Sequence, residues 1–220
     1  MKNEEIISKI KGKITDAAHI DLVKTPVDFR SEGEKLIMEG MVDTLSVKRK
    51  AFIAASSVYP GIVDNVKVKP ASRMGDSEII RHLEGSFDED YAMEGLSIDV
   101  SVTRDGIVHL DGKVHSLTQK RLAEVHAWWV PGSVDVINNL EVNPHEKDSD
   151  DEINDTVKLV FERDKLVRDG NILVKVKDSV VTLTGLVKST AAKDAAEEDL
   201  WCISGIRNVI NKLQVEKPGR

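Results

Sequence analysis

The sequence predicts an α+β fold of three tandem units, each running helix, strand, strand, helix, strand (αββαβ). Three observations carry that prediction. Residues 181–215 (VTLTGLVKSTAAKDAAEEDLWCISGIRNVINKLQV) pass from an alternating strand through Gly185 to an alanine-rich amphipathic segment and a second apolar run. Residues 108–142 repeat that plan, and residues 36–68 repeat it more loosely. Gly40, Gly112 and Gly185 are spaced 72 and 73 apart, and Gly61, Gly132 and Gly205 are spaced 71 and 73 apart; a fixed period marks a repeated supersecondary unit. The last two strands of each unit are joined through a helix, which predicts a parallel pair with a right-handed crossover beside one antiparallel hairpin. The units fall near 3–69, 76–143 and 151–216. Units of about 70 residues lie near the lower limit for independent stability, so they are expected to pack on one another.

In the first unit, Ile6, Ile7, Ile10, Ile14 and Ala17 recur at helical spacing. An extended segment follows around Val27 and Phe29, and Leu36, Met38, Gly40 and Val42 then share one face of a strand. Val47, Ala51, Ala54, Ala55 and Val58 predict a helix stopped by Pro60-Gly61. The closing strand, over 62–68, is the shortest of the three. In the second unit Asp76-Ser77 reads as the N-cap of a helix striped by Ile79, Ile80, Leu83 and Phe87. Ile98, Val100 and Val102 alternate along a strand, Asp105-Gly106 signals a hairpin, and Val108, Leu110, Gly112 and Val114 alternate back. A helix over 117–130 ends at Pro131-Gly132, before a strand over 134–142. A polar acidic linker, 143–152, leads to the third unit. There Ile153, Val157, Val160 and Phe161 stripe a helix, and Ile172, Val174 and Val176 mark a strand. The Asp178-Ser179 turn, a strand through Val187, a helix over 190–203 and a strand to Val215 complete it. The repeated strand glycines lie on the inward series, where a missing Cβ admits a close approach of helix or turn, or a bulge.

Net charge is −7, spread unevenly: +2 over 1–72, −8 over 73–146 and −1 over 147–220. The acidic total argues against a nucleic-acid binder, and the middle unit repels anionic surfaces that the first can approach. One cysteine, Cys202, excludes an intrachain disulfide framework and fits a reducing compartment. The opening MKNEEIISKIKGKI lacks the pattern of a signal peptide, and no run reaches the roughly 18 apolar residues of a membrane span. A cytoplasmic protein is expected, periplasmic only if a leader has been removed.

The pattern V-x-L-x-G-x-V, an alanine-rich helix, a glycine, then V-I-N-x-L-x-V resembles the BON domain (bacterial OsmY and nodulation). Residues 181–215 carry it best. Ala127-Trp128, Pro131-Gly132 and Ile137-Asn138 carry it in the second unit, and Trp201, Gly205 and Ile210-Asn211 in the third. The resemblance covers nearly the whole chain as three copies, the first divergent because its last strand lacks the I-N pair. It implies small sandwiches with two helices on one face of a three-stranded mixed sheet, and no catalytic residues or cofactor. It further implies an association with envelope and osmotic stress, and contact with phospholipids or other partners.

The residues themselves offer few chemical sites. His109 and His115 alternate outward with Asp111 and Lys113 but lie about 20 Å apart along a strand, too far to share one metal ion. The run from Asp148 to Glu152 fails as a calcium loop, because Ile153 and Leu159 stand where Gly and Glu are required. Cys202 falls on an apolar helix side without a neighbouring base, and no hydrolase, zinc, dinucleotide or phosphate-loop motif occurs. A non-enzymatic binding module is expected. Trp128 projects beside Arg121 and Glu124, and Trp201 beside Asp194 and Glu197. A large aromatic twice on a charged face suggests a docking surface for a partner or for self-association. Lys2, Lys9 and Lys13 flank the isoleucine stripe of the first helix and are the candidate contacts to an anionic lipid surface. Anionic lipid or a small ligand, and a protein partner in an adaptor role, are thus the two competing readings.

Overall fold

The computed structural model describes residues 2–33, 35–103 and 105–216. The chain divides into two compact units, Met1–Pro70 and Ala71–Arg220. In the first, helix α1 (Lys2–Ala18) packs on α2 (Leu45–Val58). Strand β1 (Val27–Glu32) pairs antiparallel with β2 (Lys35–Val42), which pairs parallel with β3 (Ile62–Val68). The core gathers Ile10, Ile14, Met38, Val42, Ala51, Ala55 and Val66.

The second compact unit holds the second and third repeats together. Helix α3 (Asp76–Asp88) leads through a 3-10 turn at Tyr91–Met93 to the antiparallel pair β4 (Ser97–Val102) and β5 (Ile107–Val114), then to α4 (Leu117–Trp129). The predicted strand over 134–142 forms two parallel ladder segments on β5, β6 (Asp135–Asn138) and β7 (Glu141–Val142). Between them the Leu140 N–H turns to the Asn138 side chain at 3.2 Å. Helix α5 (Asp150–Arg163) follows, then β8 (Asn171–Lys177) antiparallel to β9 (Val180–Val187), α6 (Thr190–Cys202), and β10 (Asn208–Val215) parallel to β9. Three separate mixed sheets of the expected α+β order result.

The same local chemistry recurs in each. Thr44, Ser116 and Ser189 sit in extended backbone, and each hydroxyl accepts the N–H three residues on, starting α2, α4 and α6. In the closing strands Asn138 and Asn211 accept the N–H of Leu140 and Leu213. Their amide nitrogens donate to the carbonyls of Lys120 and Lys193, tying strand to helix. Asp64 holds that position in the first sheet: it accepts from the Val66 N–H and pairs with the buried Lys48 ammonium at 3.5 Å. Helix α3 departs from the expected cap. Gly75 stands at its N-cap with no side-chain bond, and Asp76 lies in the first turn, where the helix dipole favours a carboxylate.

The strand glycines answer to the neighbouring strand rather than to a helix. A Cβ on Gly40, Gly112 or Gly185 would sit 2.4, 2.5 or 2.0 Å from the carbonyl oxygen of Pro26, Ser97 or Asn171, and all three glycines have positive φ. Each oxygen belongs to the residue just before the cross-strand partner of the glycine, so the strand that opens each hairpin enters the sheet over the missing side chain. Gly61 and Gly132 leave room for the Tyr59 ring and for Met74 and Ile79. Gly112→Ala is therefore expected to cost roughly 2 kcal/mol. Gly85→Ala, inside α3 with open space around it, should add up to about 1 kcal/mol. Urea unfolding of both variants checks the contrast, and equal effects would show the close approach to be immaterial.

Candidate functional site

Helix α4 is enclosed on every side. Residues 121–127 are all buried, charged members included, because α3, α5 and α6 pack around it as well as its own sheet. The face carrying Arg121 and Glu124 is therefore a seam between the second and third repeats, where the sequence suggested an open docking face. Arg121 donates from Nε to the Ser204 carbonyl at 2.8 Å and from a terminal nitrogen to Asp148 at 2.6 Å. Gly205, at φ +95, leaves space for that guanidinium. The 143–152 linker is a strap rather than a free solvated run. Its Glu146 accepts the Leu117 N–H at the start of α4, and Ser149 caps α5, whose Glu152 accepts from Thr118. Asp150 accepts both N–H groups of the Asp178-Ser179 turn at 2.8 Å.

At the other end of the seam a cleft of about 510 Å³ is lined by Ser86, Glu89, Tyr91, Trp129, Glu162 and Arg168 around the buried Asp90 and His126 and the half-buried Arg163. Asp90, just beyond α3, accepts from Arg163 of α5 at 2.5 Å through each oxygen, and meets His126 Nε2 at 2.7 Å. Burial raises the Asp90 carboxyl, but hydrogen bonds from Arg163, His126 and the Ala92 N–H outweigh it and hold the pKa at about 2. An ionised carboxylate only accepts, so His126 carries its proton on Nε2. Burial lowers the His126 pKa against the pull of Asp90 and keeps the ring neutral. The Arg163 pKa is lowered by burial and raised more by Asp90. Phe87 and Trp129 meet the His126 ring edge-on at 5.7 and 5.8 Å, and Arg163 stacks over Tyr91 at 5.0 Å.

Behind the cleft, the Trp129 N–H donates to Asp199 of α6 at 3.1 Å. Burial pushes Asp199 up to about 8, the Asp164 carboxylate adds to the rise, and the Trp129 bond opposes it. Asp199 is thus protonated at neutral pH. Chemically the cleft offers charge pairs and aromatic walls already committed to one another. The aliphatic hydroxyl in its wall, Ser86, donates to the Leu83 carbonyl at 2.8 Å instead of facing a base. Among the described residues no cluster of three or more His, Cys, Asp or Glu is placed to hold a metal ion.

The residues singled out in the sequence lie apart from this cleft. Trp201 is 1 % exposed, which removes it as an open docking surface, and Trp128 is half-buried with an indole N–H unbonded among the described residues. Lys9 and Lys13 are exposed on α1, Lys9 bridging to Glu5 at 2.8 Å, while the Lys2 side chain lies outside the described residues. Ile10 and Ile14 beside them are fully buried, so that part of the stripe presents no apolar area to a membrane. Cys202 is buried, as expected, and in no disulfide. No helix among the described residues is long and apolar enough to cross a membrane. Asp90 and Arg163 escaped the sequence reading because they lie 73 residues apart in different repeats, and nothing local marks either.

The family model for the BON domain matches residues 75–144 and 149–217, most of the chain and both repeats that meet at the seam. The chain belongs to the BON domain family. The match confirms the resemblance for two copies; residues 3–69 lie outside it. Osmotically-inducible protein Y of Escherichia coli (strain K12) is 29 % identical over 161 residues, covering 70 % of this chain and 79 % of that protein. Two structures of CdsD, a structural protein of the type III secretion system of Chlamydia trachomatis, align at 18 % identity. One covers 94 % of this chain and 96 % of its own with a TM-score of 0.26, and the other 97 % and 94 % with a TM-score of 0.25. Similarity at that level carries no functional information.

Two outcomes test the seam between the BON repeats. Asp90→Asn leaves a half-buried guanidinium without its counter-charge and should cost about 2 kcal/mol at pH 7. The native Asp90 pKa lies below the unfolded value, so its stabilisation is present above about pH 4 and is lost as pH falls through about 2. Acid titrations of stability should lose that component in the variant. Asp199 has the opposite sign. Its contribution is full below about pH 4 and is lost as pH rises through about 8. Asp199→Asn should therefore flatten the fall in melting temperature between about pH 4 and 8, with the two proteins most alike near pH 4; an unchanged slope would show that Asp199 does not titrate there.

Proposed function

We propose that this chain is a non-enzymatic tandem BON-domain binding module of the osmotic-stress response, and that its ligand is a protein partner. The observation carrying the non-enzymatic reading is the commitment of the cleft's ionisable groups. Both Asp90 oxygens are taken by Arg163 and His126, and a neutral His126 bound to a fixed carboxylate holds structure instead of awaiting substrate. BON domains are generally binding modules, and the similarity to Osmotically-inducible protein Y supports the stress setting. We extend the domain reading to 3–69 as a third, divergent copy, supported by its αββαβ order, its Thr44 cap and the Asp64 device. Trp128 and Trp201 then serve packing within the paired repeats.

The alternative ligand, anionic lipid, is favoured by exposed Lys9 and Lys13 on a unit of net charge +2. It is opposed by the burial of Ile10 and Ile14, since surface binding needs apolar area as well as cationic attraction. Sedimentation of the full chain with anionic and neutral vesicles at low and moderate salt separates the two. The expected result is no salt-sensitive binding to either vesicle, with pull-down recovering a protein. Binding to anionic vesicles that disappears in Lys9→Glu/Lys13→Glu would make lipid the ligand.

A further inference from the structure

The helices of the second and third repeats meet at the seam, so each sheet keeps one face turned away from it. These faces differ in charge. On the third repeat, Leu173, Lys175 and Lys177 of β8, Thr182, Thr184 and Leu186 of β9, and Ile210 and Lys212 of β10 point outward by the strand register. Leu173 is 66 % exposed, Leu186 42 % and Ile210 39 %. The twelve outward positions on these strands include three lysines and no acid, in a chain of net charge −7. None of the three lysines pairs with another described residue.

The corresponding face of the second repeat is acidic. Asp99 and Asp111 stand directly opposite each other across β4 and β5, and Glu141 pairs with Lys113 across β5 and β7. Like charges directly opposite destabilise a strand pair; Asp111 accepts from the Asn139 amide at 3.0 Å, and neither carboxylate has a cationic partner among the described residues. Leu173 and Thr184 occupy the equivalent positions in the third repeat, as fixed by the register to Gly185 and Gly112.

We propose that the open sheet face of the third repeat docks on the open sheet face of the second repeat of another copy of this chain. Lys175, Lys177 and Lys212 would then face Asp99, Asp111 and Glu141 around the central Thr182 and Thr184 of β9, with Leu173, Leu186 and Ile210 at the margins of the contact. The faces differ, so the contact is head-to-tail, and a pair of copies keeps one free face of each kind; such contacts propagate or close into rings. Three strands about 4.8 Å apart and about 23 Å long give a face on the order of 300 Å². That is well under a stable interface, so the association is weak, concentration-dependent and salt-sensitive. A nucleic acid fits this face poorly, because no aromatic side chain stands among its outward residues to stack on bases. The inference does not depend on the choice between lipid and protein ligand for the module.

Sedimentation velocity of the full chain across a wide concentration range tests it. Wild-type weight-average mass should rise with concentration at low salt and return to the monomer in about 1 M salt, where the screening length is about 3 Å. Lys175→Glu/Lys177→Glu/Lys212→Glu should associate at least about tenfold more weakly, as should Asp99→Lys/Asp111→Lys/Glu141→Lys. Mixing the two charge-reversed variants should restore association, which also shows both to be folded. Leu173→Thr, which keeps a strand-forming residue, should weaken association without altering charge. A wild-type chain monomeric throughout overturns the proposal. So does unchanged association in either reversed variant, failure of the mixture to associate, or a lysine face that binds anionic vesicles while the protein stays monomeric.

Discussion

The bidentate pair between Asp90 and Arg163 is the contact on which the joined repeats depend. It links the end of α3 in one repeat to the last turn of α5 in the next, and draws His126 of the buried α4 into the same cluster. A carboxylate taken out of water is tolerable only with full hydrogen bonding. Asp90 has it, from a guanidinium, an imidazole and a backbone N–H. Around that anchor α4 is enclosed, and Arg121 and the Glu146–Glu152 strap close the far end of the seam.

Asp199 and Asp90 show how one seam gives two carboxyls opposite states. Asp90 receives charged donors and stays ionised, whereas Asp199 receives one indole N–H and the repulsion of Asp164, and keeps its proton. Burial is common to both, and the partners decide the outcome. The site is a fastening whose electrostatics are spent internally, which accords with a family of binding modules.

Much of the fold was legible because it depends on local rules repeated three times. The glycine spacing, the alternation of the strands and the alanine-rich helices fixed element type and order, and the glycines proved to answer to backbone clashes of one kind. The repeated asparagine at 138 and 211 was visible too, though its job of tying strand to helix was not. What sequence periodicity could not supply was the destination of a polar helix face. Arg121, Glu124 and Trp128 have the pattern of a solvated side, and the same pattern serves a helix lying against other polar helices. The short alanine-tryptophan run ending α4, with His126 before it, was the available hint of burial all round. Asp90 and Arg163 carried no hint, because their meaning arises only when two repeats meet.

The enclosure of α4 also bears on how the chain is made. During synthesis from the N-terminus, the second repeat leaves the ribosome complete in sequence but lacking α5 and α6, two of the three helices that cover α4. About 70 further residues separate the end of α4 from the end of α6, which at about 5–20 residues per second takes roughly 4–14 s. For that interval Arg121 lacks Ser204 and Trp129 lacks Asp199, and the nascent second repeat is a surface in need of cover. The acidic strap arrives first, with Glu146 and Asp148 reaching α4 before any helix of the third repeat exists. It can thus hold the emerging helix in place until its permanent neighbours arrive.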